Sequence, residues 1–191
     1  MNIFALSTDP IQSAEMMCDK HVVKMIIETA QLLSTAHRIL DGEEYTDRTV
    51  NGRRIKRWLH PNSNMESTLY KASHINHPSA VWARKSNNNY NWLYCHFDAL
   101  CREYTYRYGK ILLTEEKLLD ILKNPPDNIA VGHLTELPQA MPDKYKGVYY
   151  VDAYRRYYVG DKIGFAKWTR RDTPDWSVSY THLTLPTILL V

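Results

Sequence analysis

The chain has 191 residues, 44% of them apolar and 24% charged, and a net charge of +3. That balance supports one domain with a proper core and excludes a low-complexity or disordered chain. It permits an anionic partner without demanding one, because phosphate-binding surfaces are local patches.

The aromatic set is skewed, with fourteen Tyr and five Trp against three Phe. Rings with a polar tip suit half-wet surfaces and base stacking as well as ordinary packing. Cys18, Cys95 and Cys101 form no C-x-x-C pair and leave an odd number, so a reducing cytoplasm is the expected setting. "MNIFALSTDP" is too short and polar for a signal peptide, and no apolar run approaches a membrane span.

In chain order, "NIFAL" reads as a short N-terminal strand. Ser7, Thr8 or Asp9 can cap the helix that follows, and Pro10 fits its first turn. That helix is expected from about residue 11 to Leu40, with a break at Gly42. Residues 41–78 read as an irregular or hairpin insertion, with Asn51-Gly52 as a two-residue turn. The cations Arg53, Arg54, Lys56 and Arg57 crowd the same stretch, as a phosphate-contacting flap or a solvated turn. Pro78 opens a second long helix reaching about Lys110, and "TEEKLLDILKN" forms a shorter one stopped by Pro125-Pro126. A loop, a helical "VDAYRRYYVGDK" and the aromatic, basic "FAKWTRRDTPDW" complete residues 1–176. The expected fold is mainly α, a single domain on two long helices.

The C-terminal "SVSYTHLTLPTILLV" carries no charge apart from His182. Val178–Thr187 resembles the translated read-through of a sequencing adapter, which makes 177–191 an expected non-native tail on a gene from an environmental assembly; a C-terminal strand is the alternative.

Both long helices carry polar stripes. At 100° per residue, Lys20, His21, Lys24, Glu28, Gln31 and Thr35 share one arc, opposite Val22, Val23, Ile26, Ala30 and Leu33. A wet face is the bland reading. However, Met25 and Leu32 flank Glu28, and a carboxylate at an apolar seam beside cations suits acid–base work. On the second helix Trp82, Ser86, Asn89, Leu93, Phe97, Leu100 and Tyr104 share a face that Arg107 continues. Ser86 and Asn89 therefore interrupt a core stripe and need partners, from a cleft or from a structural network. Arg84 and Lys85, among amides and rings, suit phosphate and base contacts. His74 and His77 lie in a loop with no Cys or acidic ligand near in sequence, which argues against zinc, and no nucleotide-binding or deaminase motif occurs.

"CDKHVVKMIIETAQLL", "NHPSAVWARKS" and "LCREYTYRYGK" resemble a family of tailed-phage proteins, some labelled pyrimidine-dimer DNA glycosylase. More distantly, Asp19, His21 and Glu28 reproduce an Asp-x-His followed seven residues later by Glu, as in the T-even phage pyrimidine-dimer glycosylase (endonuclease V) family. "NHPSAV", "ALCREYTYRYG" and the basic aromatic end echo further segments. The resemblance implies a small helical glycosylase and AP lyase that needs no metal or cofactor and acts through an N-terminal amine assisted by Glu28. It implies Asp19 and His21 holding the helix end, Lys24 or Lys20 as a substitute imine-forming amine, and phosphate contacts from Lys20, Lys24, Arg84, Lys85 and Arg107. With the polar stripes, the expected substrate-binding set is Lys20, Gln31, Arg84, Lys85, Ser86, Asn89, Tyr104, Arg107 and Trp168. Asn2 stands where that family has Thr, and Ile27 and Gln31 where it has arginines. The expected partner is DNA or a nucleotide, in a phage-infected cell. A non-catalytic binder of a host nucleotide signal, or an enzyme on free nucleotides with Glu28 and His21 as acid–base pair, are the alternatives.

Overall fold

Asp9 accepts the Gln12 amide at 2.8 Å and Pro10 fills the first turn, so α1 (Pro10–Glu15) begins where the sequence signals a cap. The computed structural model describes residues 1–178. Apart from Val178, the adapter-like segment lies outside the described residues.

The single helix expected over residues 11–40 is two. After α1 the chain turns, with Cys18 extended, and α2 (Asp19–Asp41) follows. The Cys18 amide donates to the Tyr158 hydroxyl at 2.8 Å and the Asp19 amide to the Lys167 carbonyl at 2.8 Å. Partners from the far end of the chain thus take amides that a continuous helix would bond internally. The second long helix is interrupted in the same way, into α4 (Pro78–Ala83) and α5 (Asn87–Tyr108). Ser86 is extended and caps α5 through its Oγ, while the Asn87 amide donates to the Ala130 carbonyl.

Residues 2–6 form no strand. Ile3, Phe4, Ala5 and Leu6 are buried, Phe4 has φ of 54°, and local oxygens satisfy the chain: Leu6 N–H donates to Ser13 Oγ, and Ile3 N–H to Asn2 Oδ1. With the Ile3 and Leu6 amides bonded to side-chain oxygens, the apolar run enters the core as irregular chain.

The insertion contains an antiparallel hairpin of β1 (Glu43–Arg48) and β2 (Arg54–Leu59), with Glu44 opposite Trp58 and Arg48 opposite Arg54. Gly52 supplies the positive φ of its turn, 76°. A short α3 (Ser63–Thr68), which the sequence pattern does not announce, follows. Arg38 anchors this insertion to α2. Its guanidinium donates to the carbonyls of Trp58, Glu66, Leu69 and Tyr70 and to the Glu66 carboxylate, using all five N–H groups.

The core forms where α2 crosses α5: Val22, Met25, Ile26 and Leu33 meet Leu93, Phe97 and Leu100, all fully buried. α6 (Leu113–Leu118) is shorter than expected and passes into a 3-10 turn at Ile121–Lys123. An extended segment then leads to α7 (Tyr150–Asp161), and α8 (Asp175–Val178) closes the described chain. No described helix is long and apolar enough to cross a membrane.

Candidate active site

The polar stripe of α2 does not stay on one surface. Lys20, Lys24 and Ile27 are exposed and Glu28 and Gln31 half-buried, while His21 and Thr35 turn inside. Glu28 is the junction. The backbone N–H of Asn2 donates to its Oε2 at 3.1 Å, and Lys24 Nζ lies 3.3 Å from Oε1. The N-terminus is held there by its own side chain: Asn2 Nδ2 donates to the Ala140 carbonyl at 2.7 Å, and its Oδ1 accepts from the Tyr154 hydroxyl at 2.7 Å.

His77 stands close by. Its Nδ1 accepts the Ser79 amide at 3.2 Å, so the neutral ring carries its proton on Nε2. Burial lowers its pKa; the N-terminal amine and His74 push the same way, and Glu28 opposes them. Glu28, Lys24, His77 and the chain's amine therefore share one neighbourhood.

A groove of about 750 Å3 runs from His77 along the 71–77 loop to β2, lined among others by Lys56, Arg57, Trp58, Lys71 and His74. α2 holds its floor: Gln31 Nε2 donates to the Lys71 carbonyl at 2.6 Å, and Thr35 Oγ1 accepts the Ser73 amide. The stripe residue Gln31 is thus committed to the wall of the groove.

Residues 1–113 match the family model for pyrimidine dimer DNA glycosylase, more than half of the chain. The chain belongs to the pyrimidine dimer DNA glycosylase family. No curated protein and no solved structure matches it. Membership gives the chain a DNA glycosylase-type function, with DNA as its partner. The matched segment carries Asn2, Lys24, Glu28 and His77, whereas Ala140 and Tyr154, which hold Asn2, lie beyond it.

Other residues of the glycosylase that the sequence singles out sit elsewhere. Asp19 accepts from Thr169 N–H and Oγ1 and from Arg107 Nη1, the last at 2.9 Å. Those bonds hold its carboxyl below the usual range against the opposing effect of burial. Nine residues of helix separate it from Glu28, about 13 Å along the axis. Arg107 has no exposed side-chain surface and spends its guanidinium on Glu103, Asp19 and the Glu15 carbonyl, so it offers nothing to a phosphate. Arg171 joins the same cluster through Glu103 and Glu15.

His21 packs against Phe4, Tyr158 and Phe165, with ring centroids 4.5 to 5.7 Å apart. Ser86 and Asn89 clasp the extended segment: Ser86 Oγ donates to the His133 carbonyl, and Asn89 exchanges bonds with Thr135 and donates to Trp82 O. Trp168 Nε1 donates to Met16 O, Tyr104 packs on Tyr108, and Lys20 lies 5.0 Å over the Phe165 ring. Arg84 is half-buried, with Nη1 unpartnered, and Lys85 is exposed. The structure therefore brings together Lys24, Glu28 and Gln31 and adds Asn2, His77, Lys71 and Tyr154 beside them. Two of these left a trace in the sequence: Asn2, at the position where the resembled family has its N-terminal Thr, and His77, in the "NHPSAV" echo.

Proposed function

We propose that the protein is a glycosylase with lyase activity, in which an amine of the N-terminal segment attacks C1′ of a damaged or modified deoxynucleotide while Glu28 handles protons. The 3.1 Å approach of Asn2 N to Glu28 carries this reading. Removal of Met1 turns that nitrogen into a primary amine; with Met1 in place, the α-amine lies one residue away, on the side of His77.

The amine's lone pair forms the bond to C1′ as the glycosidic bond breaks and the base departs with its electron pair, gaining a proton. Expulsion of O4′ then gives an imine, with Glu28 polarising the sugar. Glu28 next accepts a proton from C2′, and the 3′ phosphate leaves by β-elimination. Lys24, Lys56 and Lys71 supply a cationic track for the strand along the groove. A tailed-phage setting, as the sequence resemblance implies, suits a substrate that is either lesion-bearing or modified DNA. Lys24, 3.3 Å from Glu28, is the competing amine.

Borohydride trapping on oligonucleotides with a thymine dimer, an abasic site or modified bases tests this. The expected result is a covalent adduct on the N-terminal peptide that Glu28→Gln reduces by about 100-fold or more, with DNA affinity kept. An adduct on the Lys24 peptide moves the nucleophile to that lysine. No adduct and no nicking on any substrate, or an adduct indifferent to Glu28→Gln, defeats the mechanism.

A further inference from the structure

At the far end of α2 from Asp19, His37 and Asp41 lie one turn apart on one face, and His60 follows β2 to meet them. His37 Nδ1 is 3.8 Å from Asp41 Oδ2, His60 Nε2 is 3.9 Å from the same oxygen, and the three ligand atoms lie within 4.8 Å of one another. Both imidazole nitrogens are buried without a hydrogen-bond partner, in rings 3% and 6% exposed. They border a cavity of about 320 Å3 that Asn62, Met65, Asn124 and Pro125 complete.

We propose that His37 Nδ1, Asp41 Oδ2 and His60 Nε2 bind one divalent ion of the zinc class. Two nitrogens and one carboxylate form a donor set for zinc and its transition-metal neighbours, not for magnesium or calcium, which prefer oxygen. Tetrahedral bonds of about 2.0–2.1 Å place ligands about 3.3–3.5 Å apart, so the two histidine–Asp41 gaps close by about half an ångström and the His37–His60 gap, which lies within 4.8 Å, by up to about 1.4 Å. The cavity leaves room for water as the fourth ligand.

The surroundings prepare two of the three ligands. His37 Nε2 lies 2.9 Å from the Tyr90 hydroxyl, whose own proton goes to the Leu122 carbonyl. Nε2–H is therefore the donor, and Nδ1 keeps its lone pair towards Asp41. Asp41 accepts the Asp127 amide on Oδ2 and the Asn128 amide and Nδ2 on Oδ1, which fixes the carboxylate plane. Such outer partners are what orient ligands in metal sites. His60 must change: its Nδ1 accepts the Asn62 amide at 3.1 Å, so its proton sits on Nε2. On binding, the ion takes the Nε2 lone pair and the ring proton relocates to Nδ1 at the expense of the Asn62 contact, leaving the imidazole neutral. The bound ion ties the end of α2, the end of the hairpin and the 124–128 turn at one point, between about 13 and 20 Å along α2 from Glu28.

Full-length protein stripped with a chelator would be titrated with Zn2+ and with Co2+. One ion per chain, a rise in Tm with Zn2+ but not Mg2+, and the visible absorption of low-coordinate Co2+ are expected. His60→Gln and Asp41→Asn should each weaken binding about 100-fold or more, with near-UV circular dichroism and DNA binding checking that each variant folds. If Asp41→Asn does not fold, His60→Gln alone decides. Substoichiometric uptake, or uptake that survives His60→Gln, overturns the site, as does uptake that disappears with His74→Gln and His77→Gln instead.

Discussion

His21 shows how far a residue's neighbours decide its chemistry. It lies on the stripe that carries Glu28, but Phe4, Tyr158 and Phe165 enclose it and its Nδ1 has no partner. Burial pushes its pKa down to about 4, with Lys24 and Lys162 adding to the effect. Burial takes His96 to about 4 as well, against the pull of the Pro10 and Ile3 backbone. Between about pH 6.5 and 4 the unfolded chain binds protons that the folded chain refuses. Both rings therefore contribute stability in full above pH 6.5 and lose it as pH falls towards 4, about 3 kcal/mol for each ring. His21→Phe keeps the ring packing and removes the titration. Its Tm should fall less steeply from pH 7 to 4 than the parent's, with neutral-pH incision retained; an unchanged slope across that range counts against this account. The place of Glu28 at an apolar seam beside a lysine was legible in the sequence, because that is a local pattern. Asn2 was marked by the family resemblance alone, and the Tyr154 hydroxyl that holds it was not legible, because their contact spans 152 positions and neither residue type signals it.

The elements were legible in their interiors and not at their breaks. The periodicity read over 11–40 and 78–110 holds in the interiors that become α2 and α5. Gly52 turns the hairpin, though within a longer 49–53 connection and not as the two-residue Asn51-Gly52 turn, since Asn51 does not take the positive φ which that turn needs. The interruptions at 16–18 and 84–86 depend on amides captured by Tyr158, Lys167 and Ala130, which a window of neighbours cannot see. The hairpin turns from a sequence ambiguity into one wall of a groove, because Arg38 pins its base and Gln31 pins the facing loop. Within it Glu44 bridges Lys56 at 2.8 Å and Asp47 faces Arg57 at 3.8 Å, so acids on β1 offset part of the positive charge on β2. On the proposed function, Lys56 and Lys71, which both line the groove, each offer a strand one phosphate contact. Lys56→Ala with Lys71→Ala should weaken DNA binding uniformly across sequences and flatten the slope of log affinity against log salt by about 2. The rate at saturating DNA should hold. A salt slope equal to the parent's would place the strand elsewhere.

Across the whole molecule, the contacts around the N-terminus and the start of α2 come from both halves of the chain. The family match stops at residue 113, yet Asn2 is held by Ala140 and Tyr154, and the start of α2 by Tyr158, Lys167 and Thr169. On the proposed mechanism, the later segment supports reacting groups that all lie in the matched one. Tyr154 concentrates that support: its hydroxyl reaches Asn2 Oδ1 and the Pro138 carbonyl, each at 2.7 Å, and burial pushes its pKa well up, so it remains a donor at any working pH. Tyr154→Phe removes the donor and keeps the ring. One lost positioning bond of about 1 kcal/mol corresponds to roughly a five- to tenfold slower imine-forming step. The expected signature is a slower single-turnover trapping rate with unchanged DNA affinity, since the hydroxyl lies behind the N-terminus and not in the groove. Equal losses in rate and affinity would mean that Tyr154 shapes the binding surface, and no loss in either would mean that Asn2 is held well enough by Ala140 and Glu28 alone.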